Sequence, residues 1–128
     1  MKRKFISVSA SILTFLFLLS FAPVKAFTGP EIKDIEDRTA TSLTLKVSYP
    51  DYAGKDVDFK VKITNKKTGK KEIRTFKDED LDDDGEENLV IDDLNANTKY
   101  SFKVKIKKHS KKVYSAYSES ETEKTKSN

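Results

Sequence analysis

The sequence predicts an all-β fold, seven short antiparallel strands stacked as a two-layer β-sandwich. Apolar and polar residues alternate at every second position through three long runs. Turn residues recur at roughly 8–12-residue intervals. Helical spacing fits none of the runs. Alternation of this kind turns one side of each strand to a core and the other to water, as in antiparallel sheets covered on one face.

The elements follow in chain order. "PEIKDIED", from Pro30, reads as a first, weak strand. "TSLTLKVSY" sets Leu43, Leu45 and Val47 against Thr44, Lys46 and Ser48, and "PDYAGKD" is the link that follows it. "DVDFKVKITN" sets Val57, Phe59, Val61 and Ile63 against Asp58, Lys60, Lys62 and Thr64. "NKKTGKK", with Gly69, is a hairpin turn into the weak strand "KEIRTF". "DEDLDDDGEE" breaks the chain before "NLVIDDL". "KYSFKVKIKK" sets Tyr100, Phe102, Val104 and Ile106 against Ser101, Lys103, Lys105 and Lys107. "KKHSKK" then turns into a last strand, "VYSAYSES". Residues 119–128 carry no apolar side chain and are expected to be a disordered tail.

The N-terminus carries an address. Lys2, Arg3 and Lys4 precede an apolar run from Phe5 to Ala22, and Val24-Lys25-Ala26 presents compact residues at the positions a signal peptidase reads. Residues 1–26 are therefore expected to be a signal peptide cleaved after Ala26, leaving a secreted, extracellular chain with no transmembrane anchor. Losing Lys2, Arg3, Lys4 and Lys25 takes the 25 basic residues to 21, against 21 acidic ones, so the mature chain is formally neutral. The basic character of the whole chain is the leader's, and it gives no argument for nucleic acid. Residues 27–128 make one domain of ordinary size, and without a cysteine it must hold together by packing.

"LNANTKYSFKVKI" resembles the corner between strands E and F of a fibronectin type III domain, with Leu94, Thr98, Tyr100, Phe102 and Val104 at matching positions. The resemblance covers Pro30 to about Thr125, with "YSAYSESETEKT" similar to strand G and its serine-rich exit, and it implies an immunoglobulin-like sandwich, its domain placed at residues 27–118. It also implies a structural corner of Leu94, Thr98 and Tyr100, the tyrosine hydroxyl bonding to backbone near Leu94–Asn97. Val47 stands where many members carry tryptophan, and Ala96 where proline is usual. There is no Arg-Gly-Asp, so integrin binding does not carry over.

The sequence offers no catalytic set. His109 is the one histidine, flanked by Lys107-Lys108 and Lys111-Lys112, whose charges favour its neutral form, and neither an orienting acid nor a nucleophile stands near it. The chain is therefore expected not to be an enzyme. Two features suggest binding. Asp80-x-Asp82-x-Asp84-Gly85 reproduces the first half of a calcium loop, with Glu86 and Glu87 as late ligands, although Ile91 occupies the twelfth position where a bidentate acid belongs. The alternative to a weak calcium site is a hydrated acidic turn; no other cofactor is expected. Lys60, Lys62, Lys103, Lys105 and Lys107 share the outward side of two strands, a face for an anionic partner or a solubilising surface. No aromatics interleave these lysines in the sequence, and the chain is exported, so nucleic acid is set aside. Tyr49, Tyr52, Tyr114 and Tyr117 suggest a sugar-stacking patch or a covered core edge. The expected function is a secreted binding or adhesion module contacting an extracellular protein or an anionic polysaccharide or surface polymer. The alternative is a calcium-stabilised extracellular structural protein using the Asp80–Glu87 loop. Oligomeric state is not legible.

Overall fold

Strands form where branched and aromatic side chains alternate with lysine, threonine and aspartate. The computed structural model describes residues 28–128, so the expected leader and its cleavage after Ala26 lie outside the described residues. The order is β1 (Glu31–Glu36), β2 (Leu43–Ser48), a 3-10 turn at Pro50–Tyr52, β3 (Asp56–Asn65), β4 (Lys71–Asp80), β5 (Glu86–Ile91), β6 (Lys99–Lys108) and β7 (Glu121–Lys124). One sheet is ordered β1-β2-β5 and the other β4-β3-β6-β7, and every pairing is antiparallel. The chain is an all-β sandwich.

The alternating apolar positions meet between the sheets. Leu43, Leu45 and Val47 of β2 and Leu89 and Ile91 of β5 face Val57, Phe59, Val61 and Ile63 of β3 and Phe102, Val104 and Ile106 of β6, all buried. A one-residue slip in any of these strands would turn its whole apolar set to water. The β3–β6 register, Asn65↔Tyr100 to Val57↔Lys108, is therefore firmly specified.

Three departures from the sequence reading have local causes. β4 runs on to Asp80, into the acidic stretch, because a bulge absorbs the misfit: Val57 pairs with Glu79 but Phe59 pairs with Phe76. Lys77 and Asp78 thus oppose Asp58 alone, and Asp78 takes a left-handed φ of 58°. The segment "VYSAYSES" forms no regular strand. Ser115 and Ser118 stand in for one: their amides donate to the carbonyls of Ile106 and Val104, and their hydroxyls accept from the amides of the same two residues. The third departure corrects the expected disordered tail at residues 119–128, which contains β7. Polar side chains anchor it. Buried Thr125 accepts from the Thr98 amide at 3.0 Å and donates to Asn95 O at 2.6 Å, and Arg38 donates to Lys124 O at 2.7 Å.

Candidate functional site

The outer side of β3 and β6 is built by register. Lys60 lies opposite Lys105, Lys62 opposite Lys103, Thr64 opposite Ser101 and Asp58 opposite Lys107. Residues directly opposite on an antiparallel pair share one face. The same pleat turns neighbouring acids away: Glu72 pairs with inward Ile63, Glu121 with Phe102 and Glu123 with Tyr100. Lys60, Lys62, Lys103 and Lys105 therefore stand together on one side of the sheet.

Lys107 does not join them. Its ammonium turns down onto Asp58 Oδ2 at 2.8 Å and donates to Lys111 O at 2.7 Å and His109 O at 3.2 Å. Asp58 points to the outer face yet is buried, because the 109–118 connection folds over it. Its Oδ1 accepts from the bulge amide of Asp78 at 2.9 Å and from His109 Nδ1 at 2.7 Å. Burial alone would raise this carboxyl; hydrogen bonds from Lys107, the Asp78 amide and His109 outweigh it and hold it well below the usual carboxylate range. The bond to Asp58 in turn raises the His109 ring, which corrects the expectation that flanking lysines keep it neutral. The orienting acid lies 51 residues away in sequence. The three groups form an ion cluster that holds the connection in place, and no nucleophile is among them.

That connection also brings aromatic rings to the lysines. Lys60, Lys105 and Lys107 place their ammonium groups 5.0, 5.3 and 5.6 Å from the Tyr114 ring centroid, and Lys105 lies 4.8 Å from that of Tyr117. These are cation–π distances. Aromatics therefore do interleave the lysines in space, contrary to the sequence reading. Tyr49 and Tyr52 pack edge to face elsewhere, at the 3-10 turn, with Lys108 5.3 Å from the Tyr52 ring.

The acidic stretch folds on itself. Asp82 Oδ1 accepts from the amides of Asp84 and Glu86, both at 2.9 Å. Leu81 is buried in the core and pins the loop. Gly85 has φ 81°, and a Cβ there would lie 2.6 Å from Pro50 Cα, so glycine is required by the close approach to the 3-10 turn. Asp80 pairs with Asp56 across β3–β4, and that carboxyl, by hydrogen bonding and then by charge, pushes Asp80 up. Burial, and then Glu87, push Glu79 up. Glu86 is bridged by Lys33 at 3.4 Å and Lys46 at 3.8 Å. Among the described residues no three His, Cys, Asp or Glu side chains converge as a metal set. Asp80, Asp82, Glu86 and Glu87 line one shallow hollow together with Lys46 and Asn88, and Asp84 is not among its lining residues. At the corner, Tyr100 is buried and its hydroxyl accepts from the Asn95 amide at 2.8 Å, while Thr98 donates to Ala96 O at 2.8 Å and Leu94 packs in the core.

Comparison with known proteins agrees with this geometry. A family model described as "Fibronectin type III domain" matches residues 29–123. No curated protein sequence matches the chain. A solved myokine structure superimposes with a TM-score of 0.62 at 16% identity, covering 77% of this chain and 97% of that one. The fn3 domain of human collagen alpha-1(XX) chain gives 0.61 at 17% identity, over 84% and 92% of the two chains. The chicken interferon gamma receptor alpha chain gives 0.61 at 15% identity over 77% of this chain, which spans 51% of the receptor chain. At these identities the likeness is one of fold.

Proposed function

The chain belongs to the fibronectin type III domain family, whose members are generally interaction modules, and from that premise we propose a secreted, non-catalytic binding module that contacts anionic surface polymers. The observation that carries this reading is the segregation of charge on a chain that is formally neutral once the expected leader, residues 1–26, is removed. Two cross-strand lysine pairs, Lys60↔Lys105 and Lys62↔Lys103, occupy one sheet face, while the acidic loop lies on the β4–β5 link. Lysine supplies diffuse attraction and not bidentate recognition, so the binding is broad in specificity and weakens with salt. Tyr114 and Tyr117 add ring surface beside the charges.

The test is retention of the purified protein on an anionic-polymer matrix. The wild type is expected to bind at low ionic strength and to elute as salt rises. The variant Lys60→Gln/Lys62→Gln/Lys103→Gln/Lys105→Gln is expected to pass through. Wild-type flow-through at low salt would remove the proposal.

A further inference from the structure

One end of the lysine face is concave. Lys62 and Thr64 of β3, Lys71 of β4, Ser101 and Lys103 of β6, and Lys66 and Ser120 from the flanking segments line a hollow of about 270 Å³. Its shape follows from side-chain size. Short Thr64 and Ser101 face each other across the strands and make a floor, and the longer lysines stand around them as walls. No acid lines it. Among the described residues, none of the four ammonium groups is in an ion pair, and none of the three hydroxyls has a hydrogen-bond partner. Seven donor-bearing side chains thus line one small space, and among the described residues none of them is paired with another protein group.

We infer that this hollow seats a phosphoryl group carried by a linear polymer, which rests on the reading above that the lysine face meets an anionic polymer. The donor arrangement selects the group. A carboxylate is planar, with two oxygens and one charge. A phosphoryl group is tetrahedral and directs its oxygens out of any one plane, so by shape, even where it carries a single charge within a chain, floor hydroxyls and wall ammoniums reach it together. Lysine binds phosphate as a point charge. The direction of the track selects a chain over a flat bilayer. Beyond the hollow the next cationic row, Lys60 with Lys105, lies two residues along the strands, roughly 6.6 Å away, and follows the strand direction. A bilayer surface meets protruding groups and not the floor of a hollow.

The test is a titration of the purified protein followed by NMR, with inorganic phosphate set against sodium chloride at equal ionic strength. Saturable shifts centred on the amides of Thr64, Ser101 and Ser120 are expected. Lys62→Gln/Lys103→Gln is expected to lower the affinity by about tenfold or more, the weight of two charge-assisted bonds, and Lys60→Gln/Lys105→Gln to lower it several-fold less, since those ammonium groups lie outside the hollow's lining and sit against the Tyr114 and Tyr117 rings. Ser101→Asp, which places a carboxylate on the floor, gives a second variant expected to abolish the shifts. Non-saturating shifts over all exposed lysines, or equal losses in the two lysine pairs, overturn the site. The source is read by comparing inorganic polyphosphate, polygalacturonate and phosphatidic acid vesicles. Preference for polyphosphate supports the assignment. Equal binding of polygalacturonate overturns the hollow while leaving the lysine face standing. Binding of neither polymer removes both. Preference for the vesicles overturns the polymer in favour of a lipid headgroup.

Discussion

Replacing Asp58 with alanine tests the ion cluster that holds the 109–118 connection on the sheet. The carboxylate has three partners, Lys107 at 2.8 Å, His109 at 2.7 Å and the Asp78 amide at 2.9 Å, and its side chain is only 5% exposed. Removing one partner of a buried pair costs about 3–5 kcal/mol. Lys107 keeps carbonyl acceptors on Lys111 and His109, and these soften the loss. The expected value is therefore near the lower end, about 3 kcal/mol. For a domain of this size that lowers Tm by about 12–24 °C. Urea unfolding of wild type, Asp58→Ala and the double variant Asp58→Leu/Lys107→Met measures it, the double variant recovering part of the loss because a packed apolar pair can replace an ion pair. The pH dependence follows from the sign of the shift. A depressed carboxyl contributes its full stability above about pH 4, its unfolded value, and loses it as pH falls toward the folded value. The gap between wild type and Asp58→Ala should accordingly be widest near neutrality and close in strong acid. A loss below about 1 kcal/mol at pH 7, the size of an exposed pair, would refute the burial argument.

Three further predictions use other parts of the molecule. Gly85→Ala forces a side chain at φ 81° against Pro50 and should cost on the order of 2–4 kcal/mol, whereas Gly69→Ala, with open space around it, should cost less; chemical denaturation compares them. The stability His109 draws from Asp58 is fully present below about pH 6.5 and is lost as pH rises through its raised folded value. NMR titration of the ring should show that rise in wild type and its disappearance in Asp58→Asn. Millimolar calcium should move the melting midpoint by less than about 1 °C, since Asp82 is committed to its own loop amides; a rise of several degrees, lost in Asp82→Asn, would return the loop to a cation-binding role.

Two of the three ten-residue strands were legible in full because their information is local. β3 and β6 cover the runs Asp56–Asn65 and Lys99–Lys108 that alternation alone delimits. β7 was not legible from its own residues, since "ETEK" has no apolar alternation and is held by Arg38 and, through the neighbouring Thr125, by Asn95 and Thr98 from distant parts of the chain. The segment around Tyr114 read as a strand because its composition suits one; nothing local says that serine hydroxyls will take the place of a ladder. The candidate site divides the same way. Four lysines could be assigned to one face by counting in twos, but the fate of Lys107 depends on Asp58 being covered by a connection that begins fifty residues later. The floor hydroxyls Thr64 and Ser101 lie in the same alternating runs, and only the register places them side by side.

The two serines that close the margin of β6 have a consequence for crowding. A backbone ladder can be exchanged for another chain's strand, because any strand presents the same donors and acceptors. Here the amides of Val104 and Ile106 are already taken by hydroxyls, and the carbonyls of the same residues by the serine amides. Copies of the domain gathered side by side along a polymer would find no template for zipping together along that margin, and could be packed densely while remaining separate molecules.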